Sequence, residues 1–223
     1  IGLLRGNPTK ERRYALAYIV LLAIGIGSAG LHGTLHWIFQ SSDELPMIYL
    51  TAVLIYTCIE MDSPIGKPHY PHLPLVMMAL MIVNTLVYYK FQQMYWVFIL
   101  TYSVGVTYYT FLGVTRIYMN EKGGTIAKRL CVVNIVNYLF IGFPLWLVDM
   151  LQCQWYLDNI ADHTHGITFH IVWHFTAGFG TYCGIVAGEY CRMMELGLPC
   201  QLDYLVGFIP VVAAVEMDEK KSN

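Results

Sequence analysis

The chain has 223 residues, of which 57% are hydrophobic and 13% charged, and a formal net charge of −2. A mean hydropathy of +0.51 excludes an ordinary soluble domain and points to a polytopic membrane protein built as one bundle. The near-neutral balance, with basic residues only in short loops, excludes nucleic-acid binding.

The opening IGLLRGNPTKERR reads as the end of an apolar segment followed by a basic loop. It lacks the ordered regions of a signal peptide, so a further N-terminal piece is expected upstream. Runs of about 17–25 mostly apolar residues then predict spanning helices at roughly Tyr14–Phe39, Leu45–Ile59, Leu73–Tyr89, Tyr95–Tyr118, Leu130–Leu151 and Ile167–Gly188. The second of these is short for a span. The later run Leu205–Val215 carries Pro210 and is too short to cross upright. Residues 202–223 are therefore expected to form an interfacial segment and cytosolic tail on a single transmembrane domain, 1–223.

Cytoplasmic loops retain Lys and Arg. Arg5, Lys10, Arg12, Arg13, Lys67, Arg116, Lys122, Lys128, Arg129, Arg192, Lys220 and Lys221 all fall on one side if these spans alternate, and only Lys90 falls on the other. The bias supports the span count and makes both ends of the chain cytosolic. One more span upstream would give a seven-helix bundle. Six cysteines occur without C-x-x-C pairs, which suggests neither a zinc ribbon nor a disulfide scaffold. Cys153 falls in a loop on the non-cytosolic side, where the compartment permits oxidation.

On this topology the unexpected polar residues share one leaflet. Ser28, His32 and His36 stand towards the non-cytosolic end of the first span, Asp43 and Glu44 open the second, Asp149 lies near that end of the fifth, and His170 and His174 open the sixth. Ionisable residues inside a membrane are costly and face the bundle interior, where they mark sites. Ser28, His32 and His36 recur every four residues and form one stripe, and His170 and His174 form a second i, i+4 pair. An H-x-x-x-H pair alone is compatible with simple packing, but a third histidine at the same depth changes the weighing. Three histidines with an open fourth position are the arrangement of catalytic zinc, which lowers the pKa of its water to about 7. His32, His170 and His174 would suffice, with Asp43 as base and Ser28 as donor to a developing oxyanion.

Other polar residues read more plainly. His36 is expected at the interface or behind the ligands, Glu44 as a helix-start residue favoured by the dipole, and Asp149 as either a partner orienting a histidine or an interfacial acid. His69 and His72 in KPHYPHLP, and His163 and His165 in DNIADHTHG, read as loop residues. Tyr95, Trp96 and Trp155 fit an aromatic belt.

The elements GSAGLHGTL (Ser28, His32), DELPMIY from Asp43, LWLVD ending at Asp149, and FHIVWHFTAG (His170, His174) occur in this order over nearly the whole chain. In this the chain resembles the alkaline ceramidases, integral membrane zinc amidases grouped with the adiponectin-receptor-like proteins. The resemblance implies an all-α bundle of seven transmembrane helices, of which this chain holds about six. It implies zinc on His32, His170 and His174, catalytic Ser28 and Asp43, and an endoplasmic reticulum or Golgi location with the active site towards the non-cytosolic side. The implied reaction is hydrolysis of the ceramide amide to a sphingoid base and a fatty acid, with zinc-bound water as nucleophile. It further implies calcium on an acidic N-terminal segment that this chain lacks. Ceramide-type lipid and membrane lipids are the expected partners. Two alternatives stay open: a seven-helix receptor or lipid sensor with structural zinc, and a phospholipase of glycolipid-anchor remodelling.

Overall fold

The computed structural model describes residues 2–34, 36–91, 94–160, 163 and 168–215. The expectations for His165, for the Cys153 side chain, for Lys220 and Lys221 and for the rest of the tail lie outside the described residues. The chain runs from a short α1 (Gly2–Arg5) into α2 (Arg12–Thr34), α3 (Trp37–Ile59), α4 (Leu73–Lys90) and α5 (Tyr95–Leu112). It continues through α6 (Gly124–Ile135), α7 (Phe143–Asn159) and α8 (Phe169–Glu195) to a hairpin of β1 (Cys200–Leu205) and β2 (Ile209–Ala214). π-helical turns at Gly113–Tyr118 and Val136–Gly142 extend α5 and join α6 to α7. Among the described residues, five segments are long and apolar enough to cross a membrane: Arg12–Thr34, Trp37–Ile59, Leu73–Lys90, Tyr95–Tyr118 and Gly124–Gln152. The fold is that of an all-α membrane protein with one small β-hairpin.

The first span ends at Thr34 rather than Phe39, and the second begins at Trp37 rather than Leu45. The polar run Gln40-Ser41-Ser42-Asp43-Glu44 is helical, although its composition hides a span. Ser41 and Ser42 satisfy their hydroxyls on the Ile38 carbonyl, at 2.9 and 2.8 Å, and Asp43 and Glu44 are buried against other helices. The sixth predicted span is α8, whose 27 residues rise about 40 Å. It is not among these five, because His170, His174, Glu189, Arg192 and Glu195 lower its hydropathy, and protein covers much of it: every residue from Cys183 to Met193 is buried. By contrast α4 exposes Leu75, Leu80 and Leu86 to more than half their area, as a lipid-facing helix does. The run after α8 is a turn and strand, with Val206 and Gly207 at positive φ. Its Val211 and Val212 are buried, and Tyr182 on α8 donates its hydroxyl to the Pro210 carbonyl at 2.8 Å.

The main core gathers Tyr14, Ala17, Leu54, Met61, Ile117, Ala127 and Val186 at the end of the bundle that carries the basic residues. A buried ionic clamp closes that end. The Arg192 guanidinium, fully buried, donates to Glu11 at 3.0 and 3.1 Å, to the Met61 carbonyl at 2.9 Å and to the Ser63 carbonyl. Arg13 joins Glu11 at 2.9 Å and the Glu60 carbonyl at 2.8 Å. Burial opposes charge on the Glu60 carboxyl, but N–H groups of Tyr70 and His69, at 2.7 and 2.8 Å, outweigh it and hold the group below its ordinary pKa.

Towards the other end, α2 and α3 meet backbone to backbone. A Cβ on Gly27 would stand 2.2 Å from the Ser42 carbonyl oxygen, and one on Gly30 would meet the Phe39 ring at 2.3 Å. Pro46 lies four residues beyond Ser42 and has no N–H to give that carbonyl, so the glycine packs where the ladder is already relaxed. Gly27→Ala is expected to lower stability by about 1–3 kcal/mol, read as a lower unfolding temperature in detergent micelles. Gly25→Ala, where nothing lies within 4 Å, is the neutral comparison; equal unfolding temperatures would show that the helix pair yields freely.

Candidate metal centre

His32 sits in the last turn of α2, and His170 and His174 in the first two turns of α8. Thr168 fixes where α8 begins, its hydroxyl accepting from the Ile171 N–H at 3.3 Å. The i, i+4 spacing then stacks both imidazoles on one face. Ligand atoms of the three histidines all lie within 4.8 Å of one another. The rings stand edge to face, with centroids 4.7–5.0 Å apart. Nε2 of His32 and Nε2 of His174 are 3.0 Å apart. Two imidazole nitrogens at that separation need a proton or a cation between them. Three neutral nitrogen donors converging in this way fit a zinc ion, which takes His nitrogen and tolerates an open fourth position.

The supporting residues assemble around this triad. Ser28, buried, places its hydroxyl 3.2 and 3.3 Å from the two ring nitrogens of His174. Asp149 on α7 brings Oδ2 to 3.7 Å from Nδ1 of His170, which favours the first of its two expected roles. Asp43 is 5% exposed, and its Oδ1 has no hydrogen-bond partner among the described residues. A buried carboxylate oxygen without a partner is unusual and calls for an explanation.

Three expectations need correction. Ser28, His32 and His36 do not form one stripe, because α2 ends at Thr34. His36 instead caps α3, its Nδ1 accepting from the Ile38 N–H at 3.3 Å while the ring stacks on Trp37. Glu44 is not a helix-start residue: α3 begins at Trp37, and Glu44 lies buried inside it, accepting from the Tyr88 hydroxyl at 2.7 Å and the Gln40 amide at 3.0 Å. The Cys153 backbone belongs to α7 rather than to a loop. His69 and His72 stand exposed around the start of α4, away from the triad.

His32, His170, His174, Asp43 and Glu44 open on one cavity of about 330 Å³. Its other walls are mostly apolar and aromatic, including Phe98, Tyr102, Tyr138, Phe143, Trp146 and Trp173. Tyr95, expected in an aromatic belt, lines it too. Tyr102 and Tyr138 hydrogen-bond to each other across it, and the π-helical turn carries Tyr138 and Leu139 into the wall. Periodicity cannot reveal such turns, which recur at functional sites. A smaller cavity of about 80 Å³, lined by Leu21, Leu54 and Tyr109, shares His174, Trp173, Tyr102 and Tyr138 with the first and leads towards the packed end.

Apolar helices long enough to span a membrane, with three histidines gathered at the edge of a mostly apolar cavity, define an integral membrane protein with a candidate metal centre. The family model described as Ceramidase matches residues 2–213, and the chain belongs to the ceramidase family. It is 30% identical over 213 residues to mouse "Alkaline ceramidase 3", covering 91% of this chain and 75% of that protein. It is 25% identical to the Arabidopsis thaliana "Alkaline ceramidase", covering 91% and 74%, and 24% identical to "Alkaline ceramidase YPC1" of Saccharomyces cerevisiae, covering 87% and 67%.

The contact between Asp149 and His170 predicts a graded effect on metal. Asp149→Asn is expected to weaken zinc binding about 10–100-fold, measured by competition with a chelating dye. His170→Ala should leave near-zero zinc in the purified protein. Equal affinity in parent and Asp149→Asn proteins would remove Asp149 from the centre.

Proposed function

We propose that this chain hydrolyses the amide bond of ceramide-type lipids to a sphingoid base and a free fatty acid, using zinc held by His32, His170 and His174. The observation that carries this reading is one cavity on which three imidazoles converge beside a buried carboxylate oxygen left without a partner. Membership of the ceramidase family supports it independently.

Zinc at the three imidazoles supplies Lewis acidity that makes water a nucleophile near neutral pH. Asp43 takes the proton of the attacking water on its free Oδ1 and returns it to the departing amine. Ser28, held against His174, donates to the oxygen that gains charge on the amide carbonyl. Asp149 orients His170. Glu44, engaged by Tyr88 and Gln40, stays fixed in the cavity wall and does not compete as a base.

The cavity is at the small end for a ligand site, so it receives the amide and adjoining carbons. The smaller cavity beyond His174 continues the path for one chain. The remainder of the lipid stays in the bilayer, against exposed apolar surface such as Phe140 and Phe175. The proposal includes a native seven-helix bundle in the endoplasmic reticulum or Golgi membrane, with the histidine end away from the cytosol.

Release of sphingoid base from ceramide by membranes containing the full-length protein tests the reading. Asp43→Asn is expected to lower the rate about 10²–10⁴-fold while zinc content is kept. Ser28→Ala should lower it about 10²–10³-fold. His174→Ala should abolish both zinc and rate. Full activity in Asp43→Asn would sink the mechanism, and no release from the intact protein would favour a receptor or sensor with structural zinc.

A further inference from the structure

At the end of the bundle away from the histidines, α2, α3 and α4 part around a groove of about 690 Å³. Its walls are apolar: Leu16 from α2, Val53 and Tyr56 from α3, Met77 and Met81 from α4. Its lining also includes Lys10 and Arg12 at the start of α2 and Lys67 from the loop between α3 and α4. All three are exposed, and among the described residues none forms an ion pair. Glu11 and Arg13 line the groove as well, but they are bound to each other at 2.9 Å, and Glu11 also holds Arg192. The one carboxylate in the lining is thus matched by two guanidiniums, and Lys10, Arg12 and Lys67 remain unmatched.

Retention of basic residues on one side of a membrane accounts for positive loops. It does not require three unpaired cations to converge on an interhelical groove whose walls are apolar. That combination complements an amphiphile with an anionic head, because the head needs the cations and only an acyl chain needs the walls. A free anion would leave the apolar part of the groove unexplained. We infer that the groove binds an anionic glycerophospholipid of the adjoining leaflet. Lys10, Arg12 and Lys67 hold its phosphate, and one chain lies between Leu16, Tyr56, Met77 and Met81.

The test uses full-length protein in phosphatidylcholine nanodiscs, photolabelled with phosphatidylserine or phosphatidylcholine carrying a diazirine in one chain, at equal mole fraction. Labelled peptides are mapped by mass spectrometry. The phosphatidylserine analogue is expected to label α3 or α4 peptides at least about fivefold more than the phosphatidylcholine analogue, given roughly 1 kcal/mol per basic residue near an anionic lipid. The triple variant Lys10→Gln, Arg12→Gln, Lys67→Gln should bring the two analogues level. Met81→Trp, which fills the groove and leaves the charges, should reduce labelling there by both, and it carries the test if the triple variant does not fold. Glycerophosphoserine, which has the head and no chains, should not displace the label. Equal labelling by both analogues in the parent protein, labelling unchanged by the variants, or displacement by glycerophosphoserine would each overturn the inference.

Discussion

The site depends on the backbone contact between α2 and α3 at Gly27. A side chain there would meet the Ser42 carbonyl oxygen and the Asp43 nitrogen, so only glycine lets the helices close. Closure puts Asp43, whose ionised form is costly in lipid, against the interior rather than the bilayer. It also places the α2 turn bearing Ser28 and His32 opposite the acid. The third contributor, α8, brings two histidines whose i, i+4 spacing needs no help from tertiary structure. The centre therefore combines one pairing set locally by helix geometry with one set globally by a glycine contact.

The bundle divides its labour along its length, and α8 runs through both halves. From Cys183 to Met193 it is wholly buried, and Arg192 ties it through Glu11 to the chain before α2 and through backbone carbonyls to the loop after α3. Removing one partner of such a buried pair strands a charge, which costs about 3–5 kcal/mol, so this end holds its arrangement. At the other end the same helix carries His170 and His174 beside a cavity. A candidate metal centre needs its side chains on rigid elements, and the clamp holds the far end of the helix that carries two of the three histidines.

Much of the site was legible in the sequence because its strongest signal, ionisable groups at one depth among apolar runs, follows from lipid energetics rather than from fold. His32, His170, His174, Ser28 and Asp43 were selected on that basis, and the structure gathers the three imidazoles with Ser28 at His174 and Asp43 on the shared cavity. Hydropathy located the bundle but not its edges. The polar run that opens α3 falls between the apolar stretches because hydropathy does not register what covers a side chain. The same blindness misread Glu44, whose burial depends on Tyr88 from another helix, and His36, whose place in a stripe failed once α2 ended at Thr34. The hairpin after α8 was hidden because a short apolar run with a proline fits several structures, and the choice is made by packing on α8.

The walls of the cavity have a further logic. A lipid amide must leave water behind to reach the histidines, so the wall has to be dry, yet each polar atom in it must be satisfied. Tyrosine meets both demands, because its ring is apolar and its hydroxyl can be spent on a neighbour. Tyr88 spends its hydroxyl on Glu44, and Tyr102 and Tyr138 spend theirs on each other. Asp43 also lines the cavity, and its buried Oδ1 has no hydrogen-bond partner among the described residues. The tyrosines keep the wall apolar while their hydroxyls satisfy one another and Glu44, and the Asp43 Oδ1 is not among the atoms they engage.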